Sequence, residues 1–248
     1  MGAVISDAMA AVLQRLSASD PALVEDCARI LGADGLGVSA LLEGGAREVV
    51  WASTGPGVRF EELQFTLGEG PGPDAARTGT AVLISDMRAV RQDRWPALLP
   101  ALAEDRVEAV FCFPLNLGAI TVGVLTLVRE TRGVLTDPEI DDALALSSAL
   151  TAFLLGGDRS PLESLNTGSE QAVLRQAVVH QATGMVSVQL GMPLNAALLH
   201  LRAHAYSHNT PLGDVAEDVV ARRLRFAPPA PATTPGPTAP EDPEDDVS

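Results

Sequence analysis

The sequence of 248 residues predicts an α+β domain, in which helices flank a largely antiparallel sheet, followed by an all-α bundle of three helices. Residues 1–157 alternate between helical periodicity and short apolar runs rich in β-branched residues, whereas residues 162–226 carry helical periodicity only. A Gly-Gly pair followed by Ser-Pro lies between them and is typical of a linker. We therefore expect the α+β domain over residues 1–157, a linker over 158–164, the bundle over 165–226 and a disordered tail over 227–248.

Helices are predicted at both ends of the α+β domain. An amphipathic stretch covers residues 9–16, and a second helix ends just before Gly32. Near the end of the domain, Thr136 and Glu139 have the spacing of a capping box, with Asp137 as an alternative cap. A long helix with apolar residues at the helical period is expected to follow.

Five apolar runs between these helices have the length and composition of strands. Two of them cover most of the 20 uncharged residues between Glu108 and Arg129, a stretch long enough to cross a bilayer as one helix. Pro114 and Gly118 interrupt it, so two buried strands joined by a turn are favoured and no membrane span is expected. The predicted strands cover residues 37–42, 49–53, 80–84, 107–115 and 118–129.

The second part of the chain predicts three amphipathic helices with a thin core. Gly191 and Pro193 separate the first two helices, and Thr210 is expected to cap the third, with Pro211 at its first position. A core this small favours dimerisation or contact with a partner. The predicted core positions are Val173, Leu174, Val178, Ala182 and Met185, then Leu194, Ala197, Leu198, Leu201 and Ala205, then Leu212, Val215, Ala216, Val219 and Val220.

The charge distribution limits the partners of this chain. All 17 basic residues are arginine and 32 residues are acidic, so the net charge of −15 excludes nucleic-acid binding by bulk charge. Any nucleic-acid binding must come from a local patch, and residues 158–227, with six arginines and six acidic residues, are the part of the chain that repels a phosphate backbone least. Two cysteines cannot form a disulfide framework and no secretory signal opens the sequence, so a cytoplasmic location is predicted. The Pro-rich, acidic tail lacks the apolar residues that would offset its ordering entropy.

Residues 165–226 resemble the ANTAR domain, an RNA-binding module of bacterial antitermination regulators. The resemblance rests on residues 180–185 (HQATGM), on the run from Ala197 to Ala205, and on residues 212–220 (LGDVAEDVV). It covers all three predicted helices in order. Many ANTAR domains have a lysine before the glycine of the first motif, whereas this sequence has Thr183.

Residues 20–155 resemble a GAF domain, a ligand-sensing α+β fold. The segments that carry this resemblance are residues 67–71 (LGEGP), 113–115 (FPL) and 122–127 (VGVLTL). The Asn-Lys-Phe motif of cyclic-nucleotide GAF domains is absent because the chain contains no lysine, so cyclic-nucleotide binding is not implied.

The ANTAR resemblance and the chemistry of the side chains select candidate RNA-binding residues. Arginines suit phosphate, and an aromatic ring suits a stacked base. Ordinary roles remain open: arginines at the end of the third helix also complement its dipole, Tyr206 also fits a half-buried position, and His180 also fits a plain surface site. The RNA-binding candidates are Arg175, His180, Gln181, Thr183, Gly184, Arg202, Tyr206, Arg222 and Arg223.

Three histidines, His200, His204 and His208, recur at every fourth position of the second helix. This spacing places their side chains on one helical face, as a zinc site would require. The helix contains no cysteine or acidic residue to complete such a site, so a solvated or RNA-facing stripe is favoured and no metal is expected.

Candidates for the sensor pocket are Trp51 and Cys112. Strand alternation predicts that Cys112 lies on the face of the sheet opposite Phe111 and Phe113. Residues 68–73 (GEGPGP) lack the lysine of a phosphate-binding P-loop and are interpreted as a rigid loop over the pocket. A buried, inert thiol is the favoured role of Cys112.

The sequence therefore predicts a cytoplasmic, homodimeric regulator that binds RNA hairpins in nascent transcripts and promotes antitermination. A small molecule or a protein would supply the signal at the GAF domain. The alternative is a sensor and dimerisation module that docks a protein partner without binding RNA. No nucleophile–base–acid set is apparent and no cofactor is expected; a thiol-based reductase using Cys112 is the least favoured interpretation.

Overall fold

The computed structural model describes residues 5–16, 22–42, 47–53, 55–103, 105–156, 170–208 and 210–227, with the side chains of residues 170–176 excepted. The predicted linker and tail lie outside these ranges, apart from residue 227. The elements of the first domain are α1 (Asp7–Arg15), α2 (Ala22–Ile30), β1 (Gly35–Leu41), β2 (Arg47–Ala52), α3 (Pro56–Leu67), α4 (Pro71–Thr78), β3 (Val82–Ile84), α5 (Leu98–Ala101), β4 (Ala109–Leu117), β5 (Ile120–Arg129) and α6 (Asp137–Leu155). Those of the second part are α7 (Glu170–Leu190), α8 (Leu194–Ser207) and α9 (Leu212–Val220).

The first domain is built on an antiparallel sheet of five strands in the order β2-β1-β5-β4-β3. The long uncharged stretch forms the hairpin of β4 and β5, paired from Ala109 opposite Arg129 to Leu117 opposite Ile120. Gly118 makes the tight turn with a φ of 60°, which glycine adopts without strain. The predicted pair of buried strands is thus confirmed.

Each face of the sheet is covered by its own helices and core. Phe111 and Phe113 of β4 belong to a core shared with α1, α2 and α6, whereas Cys112 belongs to a core with residues of α3, α4 and α5. The predicted alternation along β4 is confirmed, because successive residues of a strand point to opposite faces.

The first helix docks on the last helix of the domain. Ser6 accepts a hydrogen bond from the Met9 backbone N–H and caps α1, and both its own N–H and its hydroxyl donate to the carboxylate of Asp142 in α6, at 2.8 and 2.7 Å. At the start of α6, Thr136 and Glu139 form the predicted capping box. The Glu139 carboxylate also pairs with Arg129 at 2.6 Å, which ties the helix to the end of β5.

The helices α3 and α4 are not among the elements predicted from the sequence. Residues 68–73, interpreted as a loop, contain the C-cap of α3 and the first residues of α4. Gly68, with a φ of 73°, terminates α3, and Pro71 opens α4 because its fixed φ suits a first helical turn.

The three predicted helices of the second part pack around one core. Three details differ from the prediction. Leu194, predicted in the core, is 47% exposed, and Val179 is buried whereas the predicted Val178 is only partly buried against the core. The side chains of Val173 and Leu174 lie outside the described residues. Thr210 does not cap α9: its hydroxyl donates to the carbonyl of His208, and Pro211 occupies the N-cap position.

None of the helices in the described ranges is by itself long and apolar enough to cross a membrane. Residues 177–190 and 194–207 meet the length and composition criteria only as a pair, across a bend of 105°.

Candidate RNA-binding bundle and the cavity beneath it

The two folded parts meet at the end of α3. The Phe65 side chain is 6% exposed and belongs to the core of the helical bundle rather than to a core of its own domain. The ring of His180 in α7 packs edge-on against the Phe65 ring, with centroids 5.7 Å apart. Phe65 therefore inserts an apolar side chain of the first domain between helices of the second.

Arg202 of α8 makes the polar part of this contact. Its Nη2 donates a hydrogen bond to the carbonyl oxygen of Phe65, and its guanidinium lies 5.7 Å from the centroid of the Phe65 ring. The approach is close: a Cβ at Gly68 would lie 2.7 Å from Nη1 of Arg202. Gly68 is thus required both by its positive φ and by the space that the guanidinium occupies.

The electrostatic surroundings of Arg202 are unfavourable to its charge. Its Nε is buried and has no hydrogen-bond partner among the residues described. Burial, together with the positive charge of the neighbouring Arg47, lowers the pKa of Arg202 to about 10.

A series of hydrogen-bonded polar side chains of the GAF-like first domain lies next to Arg202. Arg47 of β2 forms an ion pair with the fully buried Glu61 of α3 at 2.7 Å, and its Nε donates to the hydroxyl of Ser39 at 3.3 Å. Gln64 donates to Glu61 and accepts a hydrogen bond of 2.7 Å from the backbone N–H of Gly72 in α4. These hydrogen bonds link β2, α3 and the start of α4 to one another.

A cavity of about 340 Å³ opens between these polar side chains and the bundle. Three of the described arginines line it, two from the first domain and one from the second: Arg47, Arg77 and Arg202. Sequence reasoning missed Arg47, Glu61 and Gln64 as a group. The available signal was the spacing of Glu61 and Gln64 on one helical face, which required α3 to be predicted first.

Two of the RNA-binding candidates on α7 point inward. Thr183 is 5% exposed and its hydroxyl donates to the carbonyl of Val179 at 2.7 Å, so it offers no group to RNA in this arrangement. His180 is half-buried against Phe65, with its Nε2 unpaired among the residues described. Burial lowers the pKa of His180; Arg202 adds to the decrease, and Glu48 opposes it. On the same helix Gln181 is exposed and Gly184 is half-buried.

Other candidates face solvent. Tyr206 at the end of α8 is 79% exposed, so the half-buried alternative is wrong. Arg222 and Arg223 are exposed just beyond α9, and Arg223 forms an ion pair with Asp218 at 2.7 Å. The side chain of Arg175 lies outside the described residues.

The histidine stripe of α8 is partly covered. The rings of His204 and His208 stack with centroids 4.0 Å apart, and Phe226 packs edge-on against both His200 and His204. Burial lowers the pKa of His204, and the charges of His208 and His200 reinforce this. In the described ranges, no group of three or more histidine, cysteine, aspartate or glutamate side chains is placed so that it could hold a metal ion.

Trp51 and Cys112 do not share a pocket. Trp51 packs into the core beneath α1 and α6, whereas Cys112 lies on the opposite face of the sheet. The cavity beside Trp51 has a volume of about 10 Å³ and only apolar neighbours, too small for a ligand. Burial raises the pKa of the Cys112 thiol, and it raises that of Cys27 to about 12. Trp51 and Cys112 therefore do not line a common pocket, because the sheet separates their side chains.

Comparison with known proteins gives matches for both parts of the chain. The GAF domain family matches residues 14–153 and the ANTAR domain family matches residues 169–220. The chain matches no curated protein sequence. ANTAR domains are RNA-binding antitermination modules, and GAF domains are sensors. The combination of a GAF domain with an ANTAR domain is typical of non-enzymatic regulators.

Solved structures of GAF domains resemble the first domain. The GAF domain of a phosphoenolpyruvate-protein phosphotransferase from Acinetobacter is 12% identical, with a TM-score of 0.48 over 60% of this chain and 92% of that one. The corresponding domain from Coxiella burnetii is 15% identical, with a TM-score of 0.46 over 62% of this chain and 98% of that one. Because the GAF match alone spans more than half of the sequence, the chain belongs to the GAF family, and an ANTAR domain follows its GAF domain.

Proposed function

We propose that the protein is a cytoplasmic, signal-responsive regulator whose ANTAR domain binds RNA hairpins in nascent transcripts and promotes antitermination. The observation that carries this proposal is the match of the ANTAR family to a segment that folds as three helices around one core. The GAF domain receives the signal, from a small molecule or from a protein.

The exposed residues of the bundle have the chemistry that hairpin RNA requires. Tyr206 offers an exposed aromatic ring on which an unpaired loop base can stack. Arg222 and Arg223 offer guanidinium groups to phosphate, with the ion pair to Asp218 as a competitor for Arg223. This part of the chain is electrically neutral overall, so these contacts meet less repulsion than they would on the acidic GAF domain.

The domain contact supplies a means of regulation. Arg202 and His180, both candidates for RNA contact, are engaged by Phe65 of the GAF domain. This arrangement is therefore a state in which part of the RNA-binding face is withheld. A signal that loosens α3 from the bundle makes both side chains available.

Dimerisation is the second element of the proposed mechanism. Two hairpin-binding bundles gain avidity when a dimer sets their spacing to that of two RNA hairpins. The helix α6 leaves Leu144 and Leu155 exposed, at 49% and 46%, although α1 is already packed on it within the chain. These leucines provide apolar surface for a second copy.

A second candidate function is protein docking without RNA binding. The observation that favours it is the apolar surface of the bundle: Val188 is 84% exposed and Leu199 is 65% exposed. Thr183, at a position where many ANTAR domains have lysine, also favours it.

A salt titration of binding between the full chain and a two-hairpin RNA distinguishes these functions. Antitermination predicts an affinity that falls steeply with salt, because phosphate contacts release counterions. The affinity should fall further in an Arg222→Gln, Arg223→Gln double variant. Arg106→Gln, which removes an exposed charge of the GAF domain, is the control and should bind as the parent does. Undetectable binding at low salt by a folded protein would favour the docking function.

A further inference from the structure

The cavity between the domains contains an arginine whose charge no described residue neutralises. In the described ranges the Arg202 guanidinium makes a single hydrogen bond, to the Phe65 carbonyl, and its Nε has no partner. None of the ion pairs found in those ranges involves Arg202. A partly buried cation with free donors is costly unless an anion joins it.

The other two arginines of the cavity have carboxylate partners and do not offset the charge of Arg202. Arg47 has 11% of its side chain exposed and is neutralised by Glu61, which is fully buried behind the cavity wall. Arg77 is more exposed and pairs with Asp74 at 3.3 Å. Of the three arginines that line the cavity, Arg202 is therefore the one without an ion pair in the described ranges. Burial, and after it the repulsion from Arg47, lowers the pKa of Arg202.

We infer that this cavity is a binding site for a small oxyanion, a compound that carries a carboxylate or phosphate group. The anion lies between Arg202 of the ANTAR domain and Arg47 and Arg77 of the GAF domain. Guanidinium groups bind such oxyanions through paired N–H donors, and Arg202 has donors to spare within the described part of the chain. The volume of about 340 Å³ accommodates a small metabolite.

The shape of the site favours a small molecule over an RNA backbone. Phe65 and Gly68, at the end of α3, line one side of the cavity, and Arg202 is held there by its hydrogen bond to the Phe65 carbonyl oxygen. Because both domains supply arginines, a bound anion stabilises the contact between them. The inference does not depend on RNA binding by the bundle.

The test uses the full chain and two probes, inorganic phosphate and acetate, each compared with chloride at equal ionic strength. Calorimetric titration and thermal unfolding should show saturable binding of at least one probe, with no saturation in chloride. Arg202→Gln should weaken the affinity roughly tenfold or more, because a charge-assisted hydrogen bond is lost. Arg77→Gln, at an exposed side chain whose loss leaves the fold intact, should weaken it severalfold, and Arg106→Gln should leave it unchanged.

Three results would overturn the inference. The first is identical behaviour in phosphate, acetate and chloride. The second is an equal loss of affinity in Arg202→Gln and Arg106→Gln, which would reflect overall charge only. The third is a loss of affinity for two-hairpin RNA in Arg202→Gln with unchanged anion binding, which would assign Arg202 to RNA. Preference for phosphate or for acetate identifies which oxyanion the site takes.

Discussion

Arg202 of the ANTAR domain donates a hydrogen bond to the carbonyl oxygen of Phe65 in the GAF domain, 137 residues earlier in the chain. The same guanidinium lies over the Phe65 ring and against Gly68. One side chain thus contacts the GAF domain, the ANTAR domain and the cavity between them.

Replacing Gly68 by alanine should separate the domains. The new Cβ would lie 2.7 Å from Nη1 of Arg202 and would also strain a backbone with a φ of 73°. The strain alone costs about 1 kcal/mol of unfolding free energy. Amide hydrogen exchange should increase at the end of α3 and along α8.

The matched control for this change is Gly118→Ala. Gly118 has a φ of 60°, but apart from its own atoms and those of its two chain neighbours, no described atom lies within 4 Å of the position that a Cβ would take there. The variant therefore has the backbone strain without the clash. Equal exchange of α8 in the two variants would show that Gly68 does not hold Arg202 in place.

Acidification should weaken the contact between the domains through His180. Burial lowers the pKa of this imidazole below its usual value of 6.5, so the folded state binds fewer protons than the unfolded state. The stability that neutral His180 provides is present at neutral pH and is lost as the pH falls from about 6.5 through the lowered pKa. The rate of limited proteolysis between the domains, measured as a function of pH, reports how far the contact between them weakens.

In this experiment His180→Gln should make cleavage independent of pH over that range. His204→Gln is the control, because the pKa of His204 is also lowered but its ring contacts Phe226 rather than the GAF domain. An unchanged pH profile in His180→Gln would assign the effect to another group.

Tyr206→Ala should reduce RNA affinity without changing stability. The side chain is 79% exposed, so its removal leaves the core intact. Loss of one stacked base costs about 1–3 kcal/mol, a decrease of roughly fivefold to 150-fold in affinity. Tyr206→Phe preserves the stacking surface and should bind nearly as the parent protein. Equal affinities for the parent and Tyr206→Ala would exclude the ring from the interface.

Thr136→Ala should destabilise the GAF domain by about 1 kcal/mol, because the N-cap of α6 loses its side-chain acceptor. Urea unfolding monitored by circular dichroism measures the change. Thr136→Ser keeps the hydroxyl and should retain most of the stability; a loss as large as that of alanine would mean that the methyl group, not the cap, is responsible.

Both thiols should be inert in the folded protein. Cys27 and Cys112 are fully buried, and burial raises the pKa of each, to about 12 for Cys27. An aromatic disulfide reagent should therefore react with neither thiol in the native state and with both after unfolding in denaturant. Rapid reaction of native Cys112 would reopen the thiol-reductase hypothesis.

The elements that were predicted correctly are those determined by residues close together in the sequence. The capping box of Thr136 and Glu139 is encoded within four residues, and the alternation through Cys112 follows from strand geometry alone. The helix α3 escaped prediction because Glu61 and Gln64 occupy buried positions, which breaks the apolar pattern of an amphipathic helix.

The candidate site was harder to predict because its members are distant in sequence. The family resemblance placed Arg202 and His180 among RNA-binding candidates, but neither periodicity nor spacing indicates that Phe65 will pack against both. Trp51 and Cys112 were grouped as pocket residues by their chemistry, whereas the sheet assigns them to opposite faces.

The acceptor that holds Arg202 is a main-chain oxygen. The two partners of this hydrogen bond therefore differ in how a substitution affects them. No substitution at position 65 other than one that shifts the backbone can delete that oxygen, so the GAF side of the bond tolerates sequence drift. Only a change at Arg202 itself abolishes the donor. The bond between the GAF and ANTAR domains is therefore sensitive to changes at Arg202, and at Gly68 against which the guanidinium packs, but not to the identity of the side chain at position 65.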